Sequence, residues 1–281
     1  MIEKTYRILN KTLRISLENA AIIPDEFEGF SCPPEEKADV TVVSDCGAEE
    51  SCCYGIRYLS DDDKKIKNVF FSQKDRGQIL YAKDEDYSRL HLQLDSNCAK
   101  GVLSELLMVG FYSHVSLEKA LLLHASGVCC KKKAVIFTAA SGVGKTTQAE
   151  LWQKYAGATI MNGDKIFLTK ASGKMVAWGS PWSGSSPYAQ NIGAQVAAIV
   201  VLEQAEGNSI RKLSGMELLE RSRPMCLSPA GIPGAKVRFW TFWIRCWLKR
   251  MCICCAVAPM KMQLPCWKKP YSERTAKKRK C

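Results

Sequence analysis

The sequence predicts an α/β fold with a β-rich N-terminal part, and three observations carry that expectation. An apolar run over residues 134–138 leads into a turn of small residues and then a helical pattern over 146–155. Val/Thr-rich runs broken by acidic turns fill residues 1–95. Strand-like and helix-like segments then alternate to about residue 221. With 281 residues and 47% hydrophobic content, the chain has room for one large domain or two small ones around a packed core. That composition excludes a fibrous or mainly disordered chain.

Taken in order, residues 5–17 alternate weakly, and 39–44 and 68–72 are β-type runs. Residues 61–63 and 83–86 are charged turns. From Asn97 the spacing changes. Val102, Leu103, Leu106, Leu107 and Phe111 recur at helical intervals, predicting an amphipathic helix to about residue 112. A strand over 120–130, a Lys turn at 131–133 and the strand over 134–138 form a hairpin. After the helix over 146–155 come a strand over 158–161 and two strands, 165–169 and 174–178, joined at Ala171-Ser172-Gly173. Residues 195–202 form an uncharged buried strand, and 216–221 a short helix.

Charge divides the chain. The formal net charge is +12, yet residues 1–233 carry 27 Lys+Arg against 27 Asp+Glu. Residues 234–281 carry 13 Lys+Arg and one acid, Glu273, together with 6 of the 14 Cys and 4 of the 7 Trp. The body is therefore neutral, which argues against a nucleic-acid-binding body. Met1 to Asn10 lacks an apolar segment of the signal-peptide kind, and no run of 18 apolar residues occurs. The expectation is a cytoplasmic protein with reduced thiols, no membrane partner and no cysteine metal site. Oligomeric state leaves no mark in the sequence.

The chemistry concentrates where the strand over 134–138 meets the helix. Ala139-Ala-Ser-Gly-Val-Gly-Lys-Thr-Thr147 resembles the G-x-x-x-x-G-K-[ST] phosphate loop, with Ala139 in place of its first glycine. Glycines at such a turn let successive backbone N–H groups converge on phosphate oxygens, and a helix N-terminus adds favourable partial charge. Ser141, Gly142, Val143, Gly144, Lys145, Thr146 and Thr147 are thus the candidate nucleotide-binding residues. Lys145 suits the β/γ-phosphates, and the Thr146 hydroxyl suits Mg²⁺. About one βαβ crossover later, the strand over 159–162 ends at Asn162-Gly-Asp164. Asp164 is the candidate acid for holding Mg²⁺ or taking a proton from an acceptor hydroxyl. Its bland alternative is a turn-capping Asp after Asn-Gly.

His124-Ala-Ser-Gly-Val128, the loop to Thr146 and Asn162-Gly-Asp164 together resemble the catalytic core of HPr kinase/phosphorylase and the related phosphoenolpyruvate carboxykinase fold. They resemble more closely the HPr-kinase-like proteins of bacterial peptide-modification clusters, including lasso-peptide kinases. Ser141 to Trp152, Gly179-Ser-Pro-Trp-Ser-Gly-Ser185 and Ala198 to Gln204 extend the likeness, which covers roughly residues 120–225. It implies an ATP- and Mg²⁺-dependent phosphotransferase acting on a Ser/Thr hydroxyl of a protein or peptide. By the same resemblance, Asp164 activates the hydroxyl and His124 lies near the transferred phosphate. The HPr kinases carry two consecutive acids at this strand end, and the first falls here on Gly163. Residues 179–186 are either an acceptor-pocket lining or a surface turn, and Arg211 and Lys212 are candidate phosphate contacts. A nucleotide-binding module without transfer activity is the alternative function.

The expected organisation is a β-rich region over 1–115 with a helix at its end, a kinase core over 116–233 and an aberrant tail over 234–281. The genetic code suggests a source for that tail. Reading each codon's third base with the next codon's first two forces Leu at Phe239/Trp240, Asp at Trp240/Thr241, Leu at Phe242/Trp243 and Asp at Trp243/Ile244. The hidden frame has amphipathic periodicity and the actual one has none. The tail is expected to be out-of-frame translation, with the last helix–strand–helix elements of the core missing.

Overall fold

The computed structural model describes residues 1–34, 37–44, 68–70, 79–82, 84–93, 99–213, 217, 220–221, 226–227 and 252–257. Across them the fold is α/β, with two mixed sheets and few helices.

The first sheet is built by the N-terminal region from β1 (Ile2–Ile8), β2 (Lys11–Leu17), β3 (Val40–Ser44), β4 (Asn68–Phe70), β5 (Ile79–Ala82) and β6 (Arg89–Gln93). The weakly alternating stretch is a hairpin: Ile8 pairs with Lys11 across Leu9 and Asn10, which have φ of 57° and 61°. Two consecutive positive φ values match the right-handed twist of the flanking strands. The spatial order is β1-β2-β3-β6-β5-β4, with β3 parallel to both neighbours. Strands β5 and β6 have no counterpart in the sequence expectation. α1 (Lys100–Leu117) buries Val102, Leu103, Leu106, Leu107 and Phe111 as the spacing predicts. It runs past residue 112 because Val115 and Ser116 also turn inward.

The second sheet contains β7 (Leu121–Cys130), β8 (Lys133–Thr138), β9 (Thr159–Asn162), β10 (Lys165–Ala171), β11 (Lys174–Trp178), β12 (Gly193–Gln204), β13 (Ser209–Lys212), β14 (Cys226–Leu227) and β15 (Cys252–Val257). The long strand β7 is its spine. It pairs antiparallel with β8 and β14 along one edge and with β9 and β10 along the other. α2 (Lys145–Ala156) carries the chain from β8 across β7 to β9, so the C-terminal ends of β8 and β9 both open beside its N-terminus. Gly157 closes α2 in the left-handed conformation at φ 61°, its N–H bonded to the Trp152 carbonyl. The expected turn at Ala171-Ser172-Gly173 is present, with Ser172 at φ 47° and Gly173 at φ 74°.

The tail supplies one surprise. Cys252–Val257 lies parallel to β12, with Ile199 opposite Cys252, and antiparallel to β13. Of the helix–strand–helix expected to be missing, the strand is corrected here, because the frame actually read provides one between β12 and β13. The rest of 234–281, including the positions that carry the frame reading, lies outside the described residues, as does the turn at 61–63. Of the short helix at 216–221, Glu217, Glu220 and Arg221 are described and helical.

The two sheets share one core. Phe167 of β10 sits 6.2 Å from Phe111 and 5.8 Å from Tyr112 of α1, and 6.0 Å from Trp182. Trp182 in turn meets Phe27 edge-on at 5.7 Å and donates its indole N–H to the Ser104 carbonyl at 2.9 Å. This aromatic joint fixes α1 and the N-terminal 3-10 turn Asp25–Phe30 against the end of the second sheet. Phe167 is fully buried, and Phe167→Ala is expected to remove about 3–5 kcal/mol of stability. Urea unfolding followed by tryptophan fluorescence checks this, with a lower midpoint at unchanged slope as the expected result.

Candidate active site

Strand β8 ends at Thr138, and six residues later α2 begins. Gly142 at φ +78° and Gly144 at φ +103° make the turn; L side chains rarely adopt either value. The first helical bond is Gln148 N–H to the Gly144 carbonyl at 3.0 Å. The N–H groups of Lys145, Thr146 and Thr147 therefore lie in the helix's unpaired first turn. Ser141, Gly142 and Thr147 are exposed, while Val143, Gly144 and Thr146 are half-buried. Lys145 is the buried member. Its ammonium donates to the carbonyls of Ala139 and Ala140, both at 3.3 Å, so it is folded back onto the loop. Burial and the neighbouring Lys165 cation lower its pKa, partly opposed by Asp164.

The Thr146 hydroxyl donates to the Gly163 carbonyl at 3.3 Å, which ties the start of α2 to the β9–β10 turn. Asp164 follows at once. Its Oδ1 lies 2.8 Å from His124 Nε2, and its Oδ2 is paired with Lys165 Nζ. Both carboxylate oxygens are engaged, and Asp164 and Lys165 are each about one-fifth exposed. His124 reaches Asp164 because β7 and β10 pair with Lys165 opposite His124, and because Ala125 N–H donates to the Asp164 carbonyl at 2.9 Å. Burial, with Lys145 next in size, holds the His124 pKa below the ordinary imidazole range, against the pull of Asp164. A neutral imidazole then donates its Nε2–H to the carboxylate.

The turn is held from behind by Asn162, a fully buried side chain. Its Oδ1 accepts the N–H groups of Asp164 and Lys165, each at 2.7 Å. Its Nδ2 donates to the Ser180 carbonyl at 2.7 Å and the Trp182 carbonyl at 3.3 Å. Residues 179–186 are consequently drawn inward, with Ser180, Trp182 and Ser183 buried. Gly184 and Ser185 nevertheless form an exposed turn, so the segment is buried over 179–183 and at the surface beyond it. Gly184, at φ +62°, passes so close to Asp164 that an added Cβ would lie 2.7 Å from Oδ2.

An open cleft of about 440 Å³ begins at Asp164 and Lys165 and runs between residues 181–184, the Asp25–Phe30 turn and the first turns of α1. Lys165, Asn162 and this N-terminal wall were not among the sequence candidates. The Asn-Gly-Asp turn was a signal for Asn162, since Asn side chains bond the backbone two residues on. The wall left no local signal, because it is joined to Asp164 only through tertiary packing. Arg211 is held elsewhere by an ion pair with Glu217, its Nη1 2.7 Å from Oε2. At Gly163 an added Cβ would fall 1.9 Å from Ser186 Oγ and 2.5 Å from Ser186 Cβ, so a second acid has no room while Ser186 stays in place. Among the described residues no group of three or more His, Cys, Asp or Glu is placed to hold a metal, and Cys32, Cys129 and Cys130 form no disulfide. No described helix is long and apolar enough to cross a membrane.

No family model matches the chain, and no curated protein matches it. Among solved structures, it is similar to the Hpr(Ser) kinase/phosphatase from Coxiella burnetii at 12% identity and a TM-score of 0.27. That match covers 46% of this chain and 91% of the other. A likeness of this size carries no argument about function, which rests on the site itself.

Neutral His124 has a measurable signature. In the metal- and nucleotide-free protein its imidazole should titrate below the ordinary imidazole value of about 6.5. Because the folded state then binds protons less readily than the unfolded chain, stability falls as the pH drops below about 6.5. Imidazole proton resonances, assigned with His124→Asn, check the midpoint, and a value above 6.5 would contradict the burial argument.

Proposed function

We propose that the chain is a phosphotransferase that moves the terminal phosphoryl group of ATP to a Ser/Thr hydroxyl of a protein or peptide. The single observation that carries this reading is the convergence at one place of a glycine turn opening a helix, a buried lysine, and a carboxylate lying against a cleft. The phosphate-binding surface in this reading is formed by Ser141, Gly142, Val143, Gly144, Lys145, Thr146 and Thr147. Its fit to polyphosphate rests on the positive φ of both glycines, the unpaired N–H groups and the Lys145 ammonium folded over the loop. Lys145 exchanges two backbone carbonyls for phosphate oxygens, a favourable trade because the new acceptors are charged.

Thr146 and Asp164 are the residues to hold Mg²⁺, their strand and helix ends being joined through Gly163. Bound there, Mg²⁺ would neutralise charge on the phosphates. Asp164 releases Lys165 or His124 to accept the hydroxyl proton as the oxygen bonds to the terminal phosphorus and the bond to ADP breaks. His124, neutral and donating, orients the carboxylate, and Lys165 balances its negative charge until the proton arrives. The division at 1–115, 116–233 and 234–281, the cytoplasmic setting and the out-of-frame origin of the tail's remainder belong to the same proposal.

One observation favours a second reading, a nucleotide-binding module without transfer. Asp164 is paired through both oxygens, and Ser186 occupies the space a second acid would need. Two variants separate the readings. Lys145→Ala should weaken ATP binding about 10–100-fold by calorimetry. Asp164→Asn should keep nucleotide binding and lower the transfer of labelled phosphate to Ser-containing peptides by about 10²–10⁴-fold. Tight ATP binding by the unaltered chain with no transfer to any peptide would select the module.

A further inference from the structure

The cleft beside Asp164 has a charge pattern of its own. Six charged residues line it: Asp25, Glu26, Lys100, Glu105, Asp164 and Lys165. Four are paired within the cleft, Asp25 with Lys100 at 2.6 Å and Asp164 with Lys165. Glu26 and Glu105 have no ion pair among the described residues, and both are exposed. The wall facing the reacting end thus has two uncompensated negative charges. The lining also includes the apolar Pro24, Met108, Pro181 and Trp182.

A buried polar group also borders this cleft. Ser183 lines it, is 2% exposed, and its Oγ has no hydrogen-bond partner among the described residues. A buried hydroxyl without a partner is costly in a folded protein. The cleft also stays open because Gly184 leaves Asp164 uncovered where any side chain would press on the carboxylate.

We infer that this cleft takes an extended peptide segment in which a Lys or Arg lies near the acceptor hydroxyl, with the hydroxyl at Asp164, a small apolar stretch over Trp182 and Met108, and the cation at Glu26 and Glu105. The inference rests on the phosphotransferase reading for the role of Asp164, but the charge preference does not depend on transfer taking place. Exposed pairs of this kind each contribute a small factor, so the preference is moderate and sensitive to salt.

The test is peptide binding by the full-length chain, followed by fluorescence anisotropy. The probes are three fluorescein-labelled Ala-based octapeptides with one Ser, carrying two Lys, two Ala or two Glu on one side of it. The Lys peptide should bind about fivefold more tightly than the Ala peptide, and the Glu peptide most weakly. Glu26→Gln combined with Glu105→Gln should abolish the Lys preference while leaving Ala-peptide binding unchanged. Both substituted residues are exposed, so the fold is expected to survive, and the Ala peptide reports that it does. Equal binding of the three probes, or a Lys preference that persists in the double variant, would overturn the inference. The Lys145→Ala chain separates the two proposals. It should keep the Lys preference even though nucleotide binding is impaired, and a lost preference would tell against a peptide site independent of the nucleotide.

Discussion

The candidate site depends on one buried amide. Asn162 has no contact with solvent, and it binds both sides of the β9–β10 turn to the segment at 179–186. A buried amide with every group paired is stable only in one arrangement, because each lost bond leaves a polar group in an apolar setting. That constraint aims Asp164 towards His124 and Lys165 and draws Trp182 down onto Phe167. Trp182 then anchors α1 through Ser104, so the N-terminal wall of the cleft is set by the same network that sets the carboxylate.

The electrostatic arrangement follows from that placement. Lys145 and Lys165, two cations, and His124 surround a single carboxylate in a half-buried setting, and burial disfavours charge on both Lys145 and His124. Such a cluster carries more positive than negative charge, which a polyphosphate would balance. The free state is accordingly self-paired: Lys145 rests on loop carbonyls and Asp164 holds its two neighbours. In the proposed function, nucleotide binding is therefore an exchange of partners rather than the filling of a rigid slot.

Much of the second sheet was legible in the sequence, since its strands are apolar runs between unambiguous turns. The hairpin of β7 and β8, the helix opening at Lys145 and the Ser172-Gly173 turn all follow from local chemistry. Asp164 and His124 were brought together in the sequence only by resemblance, and the antiparallel register of β7 and β10 is what brings them to 2.8 Å. Strands β5 and β6 escaped notice because a few residues amid charged neighbours give too short an alternation. The cleft escaped for a deeper reason. Asp25 and Lys100 are far from Asp164 in sequence, and only the aromatic joint of Phe27, Phe111, Phe167 and Trp182 relates them. Strand β15 ran against expectation: an irregular basic tail still contains six consecutive residues able to pair with β12.

The central claim is that the turn before α2 and the end of β9 form one phosphate-binding surface. Hydrogen–deuterium exchange of the full chain, with and without Mg²⁺ and ATP, measures this directly. Slowed exchange is expected at the amides of residues 142–147 together with Asp164 and Lys165, and only when nucleotide is present. Unchanged exchange at 142–147 under saturating Mg²⁺ and ATP, or protection confined to another part of the chain, would contradict it.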